Sequence, residues 1–124
     1  MYNEQYGHII EKRERIWLAL SEFYLDTELT NDDFDRIASE FRNSGLSLSE
    51  IKEIDLMEVF SLLQINLLSV AGAWAGFDKK WLYTECAKNY NRRKSLAHRL
   101  KCMFWNLFFY WMRKEYWNQI ERRI

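Results

Sequence analysis

Apolar residues recur at three- and four-residue steps along most of this chain, which is the period of an α-helix. In residues 9–25, Ile9, Ile16, Trp17, Leu20 and Phe23 fall on one stripe, with Glu11, Lys12, Arg13 and Glu14 between them. This predicts a first amphipathic helix. Asp26-Thr27-Glu28 leads into a turn, after which Thr30 or Asn31 can cap a second helix. Asp32 and Asp33 sit in its first turn, where the positive end of the helix dipole favours anions. Phe34, Ile37, Ala38 and Phe41 supply its apolar stripe. Ser44-Gly45 ends it, with Gly45 suited to a left-handed terminating position.

Ser47 with Glu50 three residues later is a capping box and opens a third helix through Ile51, Ile54 and Met57 towards Phe60. The next stretch places the small residues Ala71, Gly72, Ala73, Ala75 and Gly76 around Trp74, which predicts a short buried helix ending at Gly76. Asp78 caps a following helix that breaks near Asn89-Tyr90-Asn91, and Ser95 caps a last one. Residues 103–112 are apolar nearly all round, so that helix is expected to lie at the centre, wrapped by the others. The expectation is an all-α fold: a single compact domain of five or six helices over residues 1–124, with a central aromatic C-terminal helix.

Composition agrees with this pattern. Proline is absent, although average usage predicts about six in a chain of this length. The apolar run at 103–112 is about ten residues long, against about 20 for a membrane span. The N-terminus has no basic region followed by an apolar one, so no signal peptide is expected. The two cysteines, Cys86 and Cys102, do not make a disulfide framework. A cytoplasmic, bacterial protein with no membrane association is the expectation.

Charge adds what periodicity does not. Up to Asp78 there are 15 acidic against 6 basic residues; from Lys79 onward there are 3 against 12. The formal net charge of zero therefore conceals an acidic half and a basic half, which points to a charged partner.

Catalytic patterns fail on inspection. Nucleophilic catalysis needs a base beside the nucleophile, and the two histidines are His8, near an end expected to fray, and His98. His98 and Cys102 have ligand spacing, but two ligands do not make a structural zinc site. The acidic run from Asp26 resembles a calcium loop but has Asn31 where glycine belongs and Ile37 where the closing glutamate belongs. No cofactor and no bound metal are expected. Arg92, Arg93, Lys94, Arg99 and Lys101 could touch nucleic-acid phosphate, yet nucleic-acid binders are usually basic overall and this chain is neutral. The aromatics among them, Trp105, Phe108, Phe109 and Trp111, read as core.

Residues 66–78, NLLSVAGAWAGFD, with Trp81-Leu82 after them, resemble the core of a family of small, poorly characterised bacterial helical proteins. Residues 17–29, WLALSEFYLDTEL, and Trp117 fit the same resemblance, which covers most of the chain. By type, a short chain without an enzyme signature and with one strongly charged face is also similar to the all-helical immunity proteins of contact-dependent inhibition toxin systems. That similarity implies a non-enzymatic protein that neutralises a cognate toxin, such as a ribonuclease with a basic active-site cleft. The carboxylates expected to carry the contact are Asp26, Glu28, Asp32, Asp33, Asp35, Glu50, Glu53 and Asp55. The alternative is a nucleic-acid-binding or regulatory helical module using the basic C-terminal segment. A third class is a metal-dependent hydrolase on the carboxylate cluster.

Overall fold

The computed structural model describes residues 2–25, 28–68 and 78–124, with side chains described over 5–25, 28–64 and 78–124. Among these residues the fold is all-α. Helix α1 covers Tyr2–Ser21 and passes into a 3-10 turn, Glu22–Tyr24. Then come α2 (Asn31–Ser44), α3 (Leu48–Ile54), a π-helical segment (Asp55–Phe60), α4 (Ser61–Leu68), α5 (Lys79–Asn91), α6 (Leu96–Phe109) and α7 (Trp111–Glu121). α3, the π segment and α4 follow one another without a break, and Tyr110 keeps helical dihedrals between α6 and α7. The segments therefore lie on five helical runs among the described residues. The small-residue stretch around Trp74, with Trp74 itself, lies outside them, as does Asp26.

Local chemistry sets most helix ends. Thr30 Oγ1 accepts from the Asp33 amide, and the Asp33 carboxylate accepts from the Thr30 amide in return. Ser47 and Glu50 form the same reciprocal box at α3. Asp78 caps α5 through the Trp81 amide, and Ser95 caps α6 through the His98 amide. Gly45 ends α2 at φ 75°, a left-handed conformation that an L side chain adopts only with strain. α1 begins earlier than its apolar stripe suggests, so His8 lies within the helix, exposed, rather than in a frayed end.

The core is one cluster. Trp17, Leu20, Phe23 and Tyr24 from α1 and its following turn meet Ile37 and Phe41 from α2, Leu82 and Cys86 from α5, and Trp117 and Ile120 from α7. Each large apolar side chain taken out of water contributes about 1.5–3 kcal/mol before entropy is counted. Phe23 meets Trp117 edge-on at 5.2 Å between ring centres, and Phe41 stacks on Trp117 at 6.1 Å.

The central element is the π segment, not the aromatic C-terminal helix. Asp55, Met57, Glu58, Val59 and Phe60 are all buried, and the segment touches α1, α3, α4, α5 and α6. A π turn widens the helical ladder and leaves carbonyls for other donors. Here the Met57 carbonyl meets His98 Nε2 at 2.7 Å, and the Glu58 carbonyl accepts from Asn89 Nδ2 at 3.1 Å.

α6 lies at the surface instead. It turns His98 and Cys102 inward, with half-buried Asn106 and Phe109 on the same side. Its opposite face is open. Of the aromatics expected in the core, Trp105, Phe108 and Trp111 are exposed, and Phe109 packs against the cluster. An all-round apolar helix has no polar face to mark the outside, so periodicity could not say which side packs.

Candidate docking surfaces

The predicted acidic surface divides. Asp55 leaves it altogether. Its side chain is 1% exposed, accepting from Tyr24 Oη at 2.7 Å and from Arg113 Nε at 3.1 Å. Burial pushes the carboxyl up from its ordinary value, while Arg113 and Tyr24 pull it back. Arg113 also donates to Asn106 Oδ1 at 2.6 Å, and its guanidinium lies 4.3 Å from the Phe60 ring centre. Asp55 thus belongs to a structural network and cannot touch a partner.

Glu50 and Glu53 are exposed but sit in basic company. They line a cleft of about 660 Å³ together with Lys12, Arg13, Arg93, Lys94 and Arg99. Glu53 pairs with Arg99 at 3.3 Å. Glu50 is committed to the Ser47 cap, whose amide holds its carboxyl below the ordinary value. Five cations against these two surface carboxylates and the buried Glu58 make this cleft basic, so the predicted extension from Glu50 to Asp55 is not an acidic surface. α2 also separates it from the other carboxylates, since 14 residues of helix span about 20 Å.

Sequence reasoning did not single out Glu58, and it is the most perturbed carboxylate near the cleft. Burial lifts it to about 7, opposed by Arg13 at 3.7 Å and by a 2.8 Å hydrogen bond from Trp17 Nε1. A signal existed. Ile51, Ile54, Asp55 and Glu58 follow the three- and four-residue spacing of a buried stripe, so both acids occupy inward positions.

What survives is the start of α2. Glu28, Asp32 and Asp35 are exposed, and Asp33 is half-buried. Asp33 pairs with Arg36, which also holds Glu22 in a two-pronged contact at 2.6 and 2.7 Å. Asp35 pairs with Arg123 at 2.7 Å. The amide of Thr30 is the main reason the Asp33 carboxyl lies below its ordinary value. Around this helix start, the five carboxylates of Glu22, Glu28, Asp32, Asp33 and Asp35 meet the two guanidiniums of Arg36 and Arg123. The edge keeps an excess of negative charge.

The basic C-terminal segment is largely engaged in the fold. Arg93 lies 3.9 Å from the Tyr90 ring centre and donates to the Tyr90 carbonyl, and Arg99 bonds Glu53 and the Arg93 carbonyl. Arg92 donates to Asn89. Lys101 remains exposed.

Cys102 Sγ approaches His98 Nε2 at 3.5 Å, the one thiol–imidazole contact among the described residues. It is not an activated pair. At 2.7 Å from the Met57 carbonyl, Nε2 must carry the proton, so it cannot take one from the thiol. Burial pushes both thiols, Cys86 and Cys102, above their ordinary values. Among the described residues, no three His, Cys, Asp or Glu side chains converge to hold a metal ion. No helix there is long and apolar enough to cross a membrane.

The outer face of α6, continued by Trp111 at the start of α7, is the largest feature that periodicity did not anticipate. Leu96, Leu100, Met103, Phe104, Leu107, Phe108 and Trp111 are each between 52% and 81% exposed. At 100° per residue they fall within about 140° of the circumference, a single apolar stripe.

Comparison with curated proteins finds no match, and comparison with solved structures finds none either. Residues 11–123 match the family described as a domain of unknown function, DUF7079, and the chain belongs to that family.

Proposed function

We propose that this chain is a non-enzymatic binding protein that neutralises a basic protein partner in the bacterial cytoplasm, most concretely as the immunity protein of a toxin such as a ribonuclease. The observation that carries the reading is the uncompensated negative charge at the start of α2. Glu28 and Asp32 are exposed there and make no ion pair among the described residues, while Asp33 and Asp35 lie beside them. Carboxylates held on a capped helix end complement the cationic cleft that a nuclease uses for phosphate, and they accelerate encounter at low salt. The engagement of Arg92, Arg93 and Arg99 within the fold weighs against the nucleic-acid alternative.

An electrophoretic shift assay with tRNA and with duplex DNA at low salt separates the two classes. No shift at micromolar protein is expected. A tight, salt-sensitive shift would overturn the immunity reading in favour of the basic segment.

A further inference from the structure

α6 is folded inside out by the usual rule. Its inward side carries His98, Cys102 and Asn106, and its outward side carries a run of leucine and aromatic side chains. The polar inward groups are satisfied: His98 on the Met57 carbonyl and Asn106 on Arg113. Among the described residues, the outward side has no such account within the protomer. Seven large side chains, each more than half exposed, uncover on the order of 800 Å² of apolar surface. The largest patch on an ordinary monomer is about 300–600 Å².

We propose that α6 is the interface of a symmetric homodimer, in which two copies of the helix pack antiparallel through their apolar faces. Area is the first argument. A stable protein interface buries about 800 Å² on each partner, which is what this stripe offers. Periodicity is the second. Leu96, Leu100, Met103 and Leu107 follow alternating steps of four and three, the spacing that lets one helix seat against another along its length.

Shape and charge choose the direction. The stripe tapers, with Leu96, Ala97 and Leu100 at one end and Phe108 and Trp111 at the other. An antiparallel pair sets Leu96 against Trp111 of the second copy, Leu100 against Phe108, and Phe104 against its own counterpart. Narrow meets wide on either side of the Phe104 pair. A parallel pair would set wide against wide and would also bring the basic starts of the two helices together, with the exposed Lys94 and Lys101 near their like. With the twofold near Phe104, the antiparallel pair holds the two Leu96 ends about 24 Å apart along the axis. A twofold axis near Phe104 makes the contact self-complementary and closed, so it ends at two copies. None of the acidic residues at the start of α2 is on this helix, so the dimer stands or falls independently of the proposed partner.

Light scattering after size exclusion on the full chain tests the interface. At tens of micromolar, the expected mass is twice the 15.2 kDa protomer. Leu107→Glu, at a position 81% exposed in the protomer, is expected to leave circular dichroism unchanged and to return the mass to one protomer. A monomeric wild type overturns the proposal, as does a Leu107→Glu variant that stays dimeric. A monomer that co-sediments with anionic lipid vesicles assigns the stripe to a membrane surface instead. Direction is read by oxidative cross-linking. Phe104→Cys alone and the double variant Leu96→Cys/Trp111→Cys are expected to form disulfide-linked dimers, and Leu96→Cys alone is not. A dimer cross-linked through Leu96→Cys alone would overturn the antiparallel arrangement.

Discussion

Asp55 Oδ2 accepts a hydrogen bond from Arg113 Nε at 3.1 Å, and the two side chains are 1% and 2% exposed. The pair ties the central π segment to α7 across 58 positions of sequence. Its neighbours extend the network, with Tyr24 Oη on the second carboxylate oxygen and Asn106 on the guanidinium. Replacing one partner strands the other charge in the core, at a cost of about 3–5 kcal/mol. Asp55→Asn and Arg113→Met are each expected to lower the urea midpoint sharply. The double replacement is expected to cost less than the two singles combined. Additive losses would show that the two charges are not coupled.

Glu58 makes stability depend on pH. Its ordinary value is 4.5, and burial lifts it to about 7, so the folded chain holds this proton more tightly than the unfolded chain. Across that window the folded state is protonated where the unfolded state is not, and stability falls as pH rises from 4.5 to 7. The full difference is on the order of 3 kcal/mol. Asp55, also pushed up by burial, contributes with the same sign. Denaturation at pH 5 and pH 8 is expected to show the higher stability at pH 5. Glu58→Gln keeps an acceptor for Trp17 Nε1 and is expected to shrink the difference. An unchanged slope in that variant would place the titration elsewhere.

The helix ends were legible because they are local. Thr30, Ser47, Asp78, Ser95 and Gly45 act on residues two to four positions away, and that chemistry is written in consecutive residues. The choice of central element was not local. Residues 103–112 look like a core helix by hydropathy, whereas the buried segment carries Asp55 and Glu58, which a reading by residue type sends to solvent. Only the arrival of Arg113, Tyr24, Trp17 and Arg13 makes their burial tolerable. The acidic surface divided for the same reason. Arg93, Lys94 and Arg99 stand beside Glu50 and Glu53 in the cleft, about 40 residues away along the chain.

Gly45 and Ser47 between them shape the corner from α2 to α3. Nothing lies within 4 Å of a Cβ added at Gly45, so Gly45→Ala meets no clash and its cost is conformational, about 1 kcal/mol. Ser47→Ala removes the acceptor for the Glu50 amide, for about 1 kcal/mol more. Thermal denaturation is expected to show a drop of several degrees for each. A Gly45→Ala variant as stable as wild type would mean that the corner relaxes out of its left-handed conformation.

Growth rescue measures the role of the α2 edge most directly. The probe is the C-terminal domain encoded by the gene immediately upstream, expressed in a host with and without this chain. The immunity reading predicts that the domain arrests growth and that the wild-type chain restores it. It also predicts that Glu28→Lys/Asp32→Lys loses the rescue while keeping the wild-type helical circular dichroism; both residues lie outside the Thr30–Asp33 capping box. Undiminished rescue by that folded double variant, or an upstream domain that leaves growth untouched, would contradict it.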